Sequence, residues 1–331
     1  MPLLSVVVAT AVVAVSLSVG YVTRPADLPS PPAQPPLEWG RDAAGRLAEP
    51  LRPLPGSLPL DAGKIALGRD LYRDRRLARD GRASCADCHE PAPAAADQEA
   101  LAADRVDTPS LTNSGFNFRQ FWNGRAATLE EAVDLSVREP AKLGSDWPLV
   151  LSRLRADAGL AARFRGHYGQ EPAAENMQHA IAEYLRSLTT PTRFDAWLRG
   201  DDAALTAEEL EGYRLFKQHG CAACHQGVNA GGNMYQRFGV MIDYYAHHPE
   251  RSAADRGLEA VTGRIEDRHV FKVPGLRNVA RTAPYFHDAS SKTLQDAVRE
   301  MGEYQLGVEL PEPDISHIVA FLRALDGAGV P

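Results

Sequence analysis

Across most of the chain, apolar residues recur three and four positions apart, the spacing that lays them along one face of an α-helix. Met177–Leu188 (MQHAIAEYLRSL) has one such apolar face, and Ile315–Leu325 (ISHIVAFLRAL) has the same form. Thr206 followed by Glu209 is the pattern of a capping box, opening a helix that runs to Lys217. Gly- and Pro-containing stretches separate these segments, and no convincing run alternates apolar with polar residues as a half-buried strand would. The expected class is all-α. Two segments at the start break the pattern. Residues 3 to 22 are almost purely apolar and uncharged, which reads as a signal h-region or a short membrane anchor. A basic n-region is missing, and Ser18 and Gly20 would permit cleavage after Gly20. Residues 23 to 57 are rich in proline and read as a linker or surface wrap, because proline donates no backbone hydrogen bond and resists helix.

A repeat organises the rest. Thr108–Val133 laid on Val273–Val298 without a gap matches Pro109 with Pro274, Leu111 with Leu276 and Asn113 with Asn278. Phe121 then meets Phe286, Thr128-Leu129 meets Thr293-Leu294, and Ala132-Val133 meets Ala297-Val298. The expected division is 1–22 signal or anchor, 23–57 linker, 58–200 first domain and 201–331 second domain, with the boundary near Arg199-Gly200-Asp201-Asp202.

At 331 residues the chain is long enough for two ordinary domains, and a hydrophobic content of 44% supports packed cores. The net charge of −7 is spread along the chain, which excludes a nucleic-acid patch and would suit a basic partner. The four cysteines change the picture most. All fall in Cys85-Ala86-Asp87-Cys88-His89 and Cys221-Ala222-Ala223-Cys224-His225. Two thiols three residues apart can form thioethers to the two vinyl groups of a haem, and the next histidine reaches the iron as proximal ligand. A dithiol redox site would want a βαβ context, and structural zinc would need further ligands suitably placed. Two such motifs behind an export-like leader point to two covalently bound c-type haems, held by Cys85, Cys88, His89, Cys221, Cys224 and His225, in an exported and so periplasmic chain.

The order of several further stretches resembles the bacterial dihaem cytochrome c peroxidases and the related MauG-type enzymes. They are Leu67-Gly68-Arg69-Asp70-Leu71-Tyr72, Phe121-Trp122-Asn123-Gly124-Arg125-Ala126, Phe271-Lys272-Val273-Pro274-Gly275-Leu276-Arg277-Asn278 and Thr282-Ala283-Pro284-Tyr285-Phe286-His287-Asp288, so the likeness runs from about Gly63 to the C-terminus. The resemblance implies two cytochrome c-like haem domains in tandem, a peroxide-reacting haem first, an electron-transfer haem second, and an interdomain calcium. It places Met301 as the sixth ligand of the second haem, with Tyr304 as competitor because MauG-type enzymes carry tyrosine there. It places Trp122 between the haems, and Asp107 with the carbonyls of Thr282 and Pro284 at the calcium, where the family usually has asparagine first. The repeat sets Ser136 against Met301, and no histidine occurs between His89 and His167, so the first haem is expected to be open.

The pattern departs from the family at the peroxide site. The usual glutamine and glutamate positions hold Ala132 and Lys142. Lys142 serves as acid or base if burial depresses its pKa, whereas an unmatched lysine is ordinarily a solvated surface charge. Glu139, Glu130 and Glu131 are the nearby substitutes. His247-His248 reads as an exposed loop pair, His287 as structural, and His179 and His317 as packing residues. The leading expectation is a periplasmic oxidoreductase that reduces hydrogen peroxide with electrons from a small cytochrome c or cupredoxin. The rivals are a MauG-like enzyme oxidising residues of a partner protein and a non-enzymatic dihaem electron carrier. A homodimer is the assembly the family suggests.

Overall fold

The computed structural model describes residues 49–89 and 106–327. The apolar run at 3–22 and most of the proline-rich segment lie outside them. Twelve helices occur in the described chain: α1 Ala62–Tyr72, α2 Cys85–His89, α3 Leu129–Arg138, α4 Trp147–Arg155, α5 Ala158–Tyr168, α6 Ala174–Ser187, α7 Arg193–Leu198, α8 Ala207–Gln218, α9 Tyr244–His247, α10 Glu259–Thr262, α11 Leu294–Glu300 and α12 Glu312–Ala324. Two three-residue strands, β1 Tyr235–Arg237 and β2 Val270–Lys272, form one antiparallel ribbon. The fold is therefore helix-rich with a single short ribbon, which the period-two test missed because three residues are too few to alternate visibly. Among the described residues no helix is long and apolar enough to cross a membrane.

Local chemistry accounts for the helix starts. Asp61 accepts the amide of Lys64 at the head of α1, and Asp146 and Asp157 do the same for α4 and α5. Thr206 and Glu209 cap α8 reciprocally, Glu209 N donating to Thr206 Oγ1 at 3.2 Å and Thr206 N to Glu209 Oε2 at 2.8 Å. The apolar faces then find partners. Leu67, Leu71 and Tyr72 of α1 pack on Met177, Ala180, Ile181 and Tyr184 of α6 in one core. Tyr213, Leu215 and Phe216 of α8 pack on Ile315, Ile318, Phe321 and Leu322 of α12 in another, which also takes Phe194 and, at its edge, Trp197 of α7. Each pair crosses at a glycine: a Cβ on Gly68 would lie 1.8 Å from the Ala180 carbonyl oxygen, and one on Gly212 would lie 1.9 Å from that of His317.

The two repeat segments also share backbone detail. Asn113 and Asn278 both adopt the left-handed conformation and open a short 3₁₀ turn, and Phe121 and Phe286 both have positive φ. The bridge Gln120 to Ala126 in one has its counterpart in Tyr285 to Ser291 in the other. Asn113 and Asn278 meet at one residue, each donating its side-chain amide to Thr190 Oγ1.

A buried ion pair joins segments far apart in sequence. Arg277 donates both terminal nitrogens to the Asp195 carboxylate at 2.8 Å, and Asp195 is fully buried. The same guanidinium reaches the carbonyls of Val228 and Arg52, while Asp195 accepts from the amides of Leu54 and Thr192. Residues 50–54 thereby lie as a strap on the second core, Leu51 beside Gly227, so this part of the proline-rich stretch is a wrap.

Burial raises the Asp195 carboxyl, but the Arg277 charge and its hydrogen bonds outweigh that and hold it below the ordinary value. Its contribution is therefore present at neutral pH and lost as acid protonates it. Asp195→Asn, which strands the guanidinium, is expected to lower the unfolding free energy by about 3–5 kcal/mol. Denaturant titration checks this; an unchanged midpoint would show that the pair does not hold the strap.

Candidate functional site

The first Cys-x-x-Cys-His is short helix α2, held from its own second spacer residue. Asp87 accepts from Ser84 N at 2.7 Å and Ser84 Oγ at 2.8 Å, and pairs with Arg75 at 2.8 Å. Arg75 chiefly, then Ser84, holds the Asp87 carboxyl at about 2. His89 Nδ1 lies 3.2 Å from the Pro109 carbonyl oxygen and donates to it, which orients the ring and frees Nε2. Burial draws His89 down to about 4, so the imidazole is neutral and able to ligate.

The second motif begins with a 3₁₀ turn at Cys221–Ala223. His225 Nδ1 stands 3.4 Å from the Ala230 carbonyl, and burial again draws the ring to about 4. Gly231 lets the loop close on the ring: a Cβ there would sit 2.2 Å from the Pro274 oxygen and 3.2 Å from His225 Nδ1. His225 borders a cavity of about 450 Å³ whose wall includes Cys221, Cys224, Phe238, Phe271, Lys272 and Met301. An apolar space of that size, with a neutral imidazole and a thioether on its wall and two cysteines at its rim, fits a haem.

Met301 opens a π-helical turn, Met301–Leu306, that continues α11. Tyr304, the competitor, is not on the cavity wall among the described residues. Its hydroxyl is 3.2 Å from His248 Nε2, and its ring packs edge-on against Tyr244. His248 is thus stacked on Tyr244 at 4.2 Å and half-buried, while His247 is exposed.

Trp122 lies on the same cavity wall, its indole N–H donating to the Asp107 carbonyl at 2.8 Å. Asp107, Thr282 and Pro284 border the cavity too. Burial pushes the Asp107 carboxyl up to about 7, and the Asp288 charge adds to this. One carboxylate with backbone carbonyls is a hard-oxygen donor set that fits calcium. His287 is buried, 2.6 Å from Asp255 and 3.3 Å from the Tyr245 hydroxyl, and stacks on Phe271. His179 bonds Tyr168, and the His317 ring lies 2.7 Å from the Pro313 carbonyl of its own helix.

At the first motif, Lys142 is exposed, its side chain retaining 36% of its accessible surface, yet it is engaged. Its Nζ is 3.0 Å from Glu139 Oε2 and 4.1 Å above the Phe121 ring, and its charge bears on Cys88 and His89. Arg125 binds the same Glu139 carboxylate and the same ring. Burial lowers the Lys142 pKa, and Glu139 opposes that. The other two candidate glutamates are engaged elsewhere: Glu130 forks onto Arg186 at 2.7 and 2.9 Å, and Glu131 takes the Ala127 amide at 2.6 Å. Sequence reasoning missed Asp195, Asp255 and Lys272 as working residues. Lys272 alone left a signal, a cation set among the apolar residues of Phe271–Leu276.

Residues 62–203 match the family model described as di-haem cytochrome c peroxidase. The chain is 43% identical over 291 residues to cytochrome c peroxidase Ccp of Escherichia coli K12, covering 86% of this chain and 62% of that one, so it spans under two thirds of that relative. It is 37% identical to cytochrome c551 peroxidase of Nitrosomonas europaea, over 86% of this chain and 87% of that protein. The crystal structure of a MauG-like protein associated with microbial copper homeostasis superposes with a TM-score of 0.67 at 24% identity, covering 84% of this chain and 93% of that one, which speaks to the fold alone. With that identity maintained along nearly the whole Nitrosomonas protein, the chain belongs to the dihaem cytochrome c peroxidase family of peroxidase-like oxidoreductases.

Proposed function

We propose that the chain reduces hydrogen peroxide to water in the periplasm, drawing electrons from a small cytochrome c or cupredoxin. The observation that carries this reading is the asymmetry of the two motifs. His225 shares a cavity with Met301, whereas His89 has the Lys142–Glu139 pair nearby and a serine at the position matching Met301. The matching backbone of the repeat segments supports two cytochrome c-like domains in tandem, 58–200 and 201–331. When bound, the haems supply the redox chemistry and a route for electrons.

In this reading Cys85 and Cys88 would attach the first haem covalently and His89 would ligate its iron, while Cys221 and Cys224 would attach the second, with His225 and Met301 as its iron ligands. Each peroxide takes up two electrons and two protons to give two waters, so the chain must deliver protons where the oxygen–oxygen bond breaks. Lys142 is the donor group: its ammonium gives a proton to the departing oxygen. Glu139 keeps that ammonium in place, and Arg125 holds Glu139. The Phe121 ring packs against both cations. Trp122, tied to Asp107, sits on the wall of the second cavity and shortens the electron path toward the first motif. Asp107 with the Thr282 and Pro284 carbonyls holds calcium across the two halves.

Three outcomes test this. On mixing reduced protein with peroxide, Lys142→Ala is expected to slow the spectral change by roughly 100-fold while both haems remain bound. No reaction in the unsubstituted protein would sink the peroxide reading and leave a dihaem electron carrier. Met301→Ala is expected to abolish the near-infrared sulfur-to-iron charge-transfer band, and Tyr304→Phe to keep it; absence of that band from the unsubstituted protein would rule out Met301 and leave Tyr304 as the candidate ligand. Asp107→Ala is expected to weaken calcium binding in calorimetry at least tenfold, and unchanged affinity would move the ion elsewhere.

A further inference from the structure

Lys272 is buried, 7% exposed, and lines the cavity that holds His225 and Met301. Among the described residues it is the one buried lysine, and its ammonium has no carboxylate, carbonyl or ring partner there. An ammonium placed so deep without a counter-charge is costly. Burial alone draws it down to about 8, with no acidic neighbour to hold it up. The acidic residue on the cavity wall, Asp107, answers instead to Asp288 and Lys292.

The ribbon explains why this position is special. Lys272 pairs directly with Tyr235, so the two share a face, and Arg237, two residues beyond Tyr235, stands on that same face. Arg237 also lines the cavity, and among the described residues its guanidinium has no acidic partner. The third cation on the wall, Arg277, is committed to Asp195. Two uncommitted cations on one face of a ribbon, at the edge of an apolar cavity, ask for a ligand that is apolar in body and carries two anionic arms. A haem has that form, with its two propionates on one edge.

We propose that Lys272 and Arg237 are the counter-ions of the propionates of the haem held by His225, with Lys272 the buried partner that biases this haem toward its reduced state. The assignment rests on the reading that a haem fills this cavity. A fixed positive charge in a water-poor site favours the reduced centre, which carries one positive charge fewer. Because the Lys272 backbone amide donates to the Trp122 carbonyl at 2.9 Å, the same residue fixes the ribbon to the residue proposed to lie between the haems.

The test uses the holoprotein with K272Q, K272M, K272R and R237Q variants. Haem content is measured first, then the midpoint potential of the second haem by spectroelectrochemistry and the propionate-bending modes by resonance Raman. K272Q and K272M are expected to lower the potential and shift the bending modes, K272R to stay near the unsubstituted values, and R237Q to shift the modes with a smaller fall in potential. K272M keeps a long apolar stem, so the measurement survives if K272Q fails to fold. Two haems per chain with unmoved potential and modes in both K272Q and K272M would overturn the assignment. Absence of haem from the Cys221–His225 peptide of the unsubstituted chain, read by mass spectrometry of a digest, would overturn the cavity reading and the assignment together, and this measurement tells the two failures apart.

Discussion

The Arg277–Asp195 pair is the constraint on which the second half of the structure turns. Neither group can be left without the other, because both are withdrawn from water and each is further held by backbone partners. Satisfying them brings together the strap at 50–54, the start of α7, the loop after His225 and the stretch before Asn278. The proximal histidine therefore stands on a loop whose Val228 carbonyl is pinned by a guanidinium. This also explains why α7 packs with the second core although it precedes the Arg199–Asp202 stretch.

The two motifs are built from the same parts and finished differently. In both, a carbonyl takes the Nδ1 proton and burial keeps the ring neutral. Around His225 the wall is apolar and a thioether is at hand, an arrangement suited to holding an electron with little rearrangement. Around His89 the neighbours are charged and linked, with Lys142 and Arg125 competing for one carboxylate above one aromatic ring. A lysine in place of a carboxylic acid reverses the sign of charge at the site. In the proposed role it is charged before proton transfer and neutral afterwards, which would leave the neighbouring Glu139 as the fixed negative charge.

Much of this was legible in the sequence because it rests on local or periodic signals. The helix faces, the Thr206–Glu209 cap and the two Cys-x-x-Cys-His motifs need only a few residues each to declare themselves. The repeat matched residues such as Asn113 with Asn278 and Phe121 with Phe286, which have the same backbone conformation. What stayed hidden depends on contacts between distant segments. Nothing near Asp195 announces that its partner is Arg277, and a three-residue ribbon has no period to detect. The choice among Glu130, Glu131 and Glu139 was likewise closed to sequence, since each lies within reach of the same site. The tertiary pairing of Glu130 with Arg186 and the local bond from the Ala127 amide to Glu131, at the entry of α3, separate them from Glu139.

The strap carries a consequence for how the chain is made. Its residues are synthesised early, yet Arg277, which donates to the Arg52 carbonyl, lies 225 positions later. Until that arginine has been made, Leu51 and Leu54 have no groove to enter, and the chain must carry them uncovered through most of its synthesis. A product that stops short of residue 277 would leave those leucines exposed whatever else had folded. The strap thus ties the start of the described chain to residues near its far end, and it cannot be docked by any product that lacks Arg277.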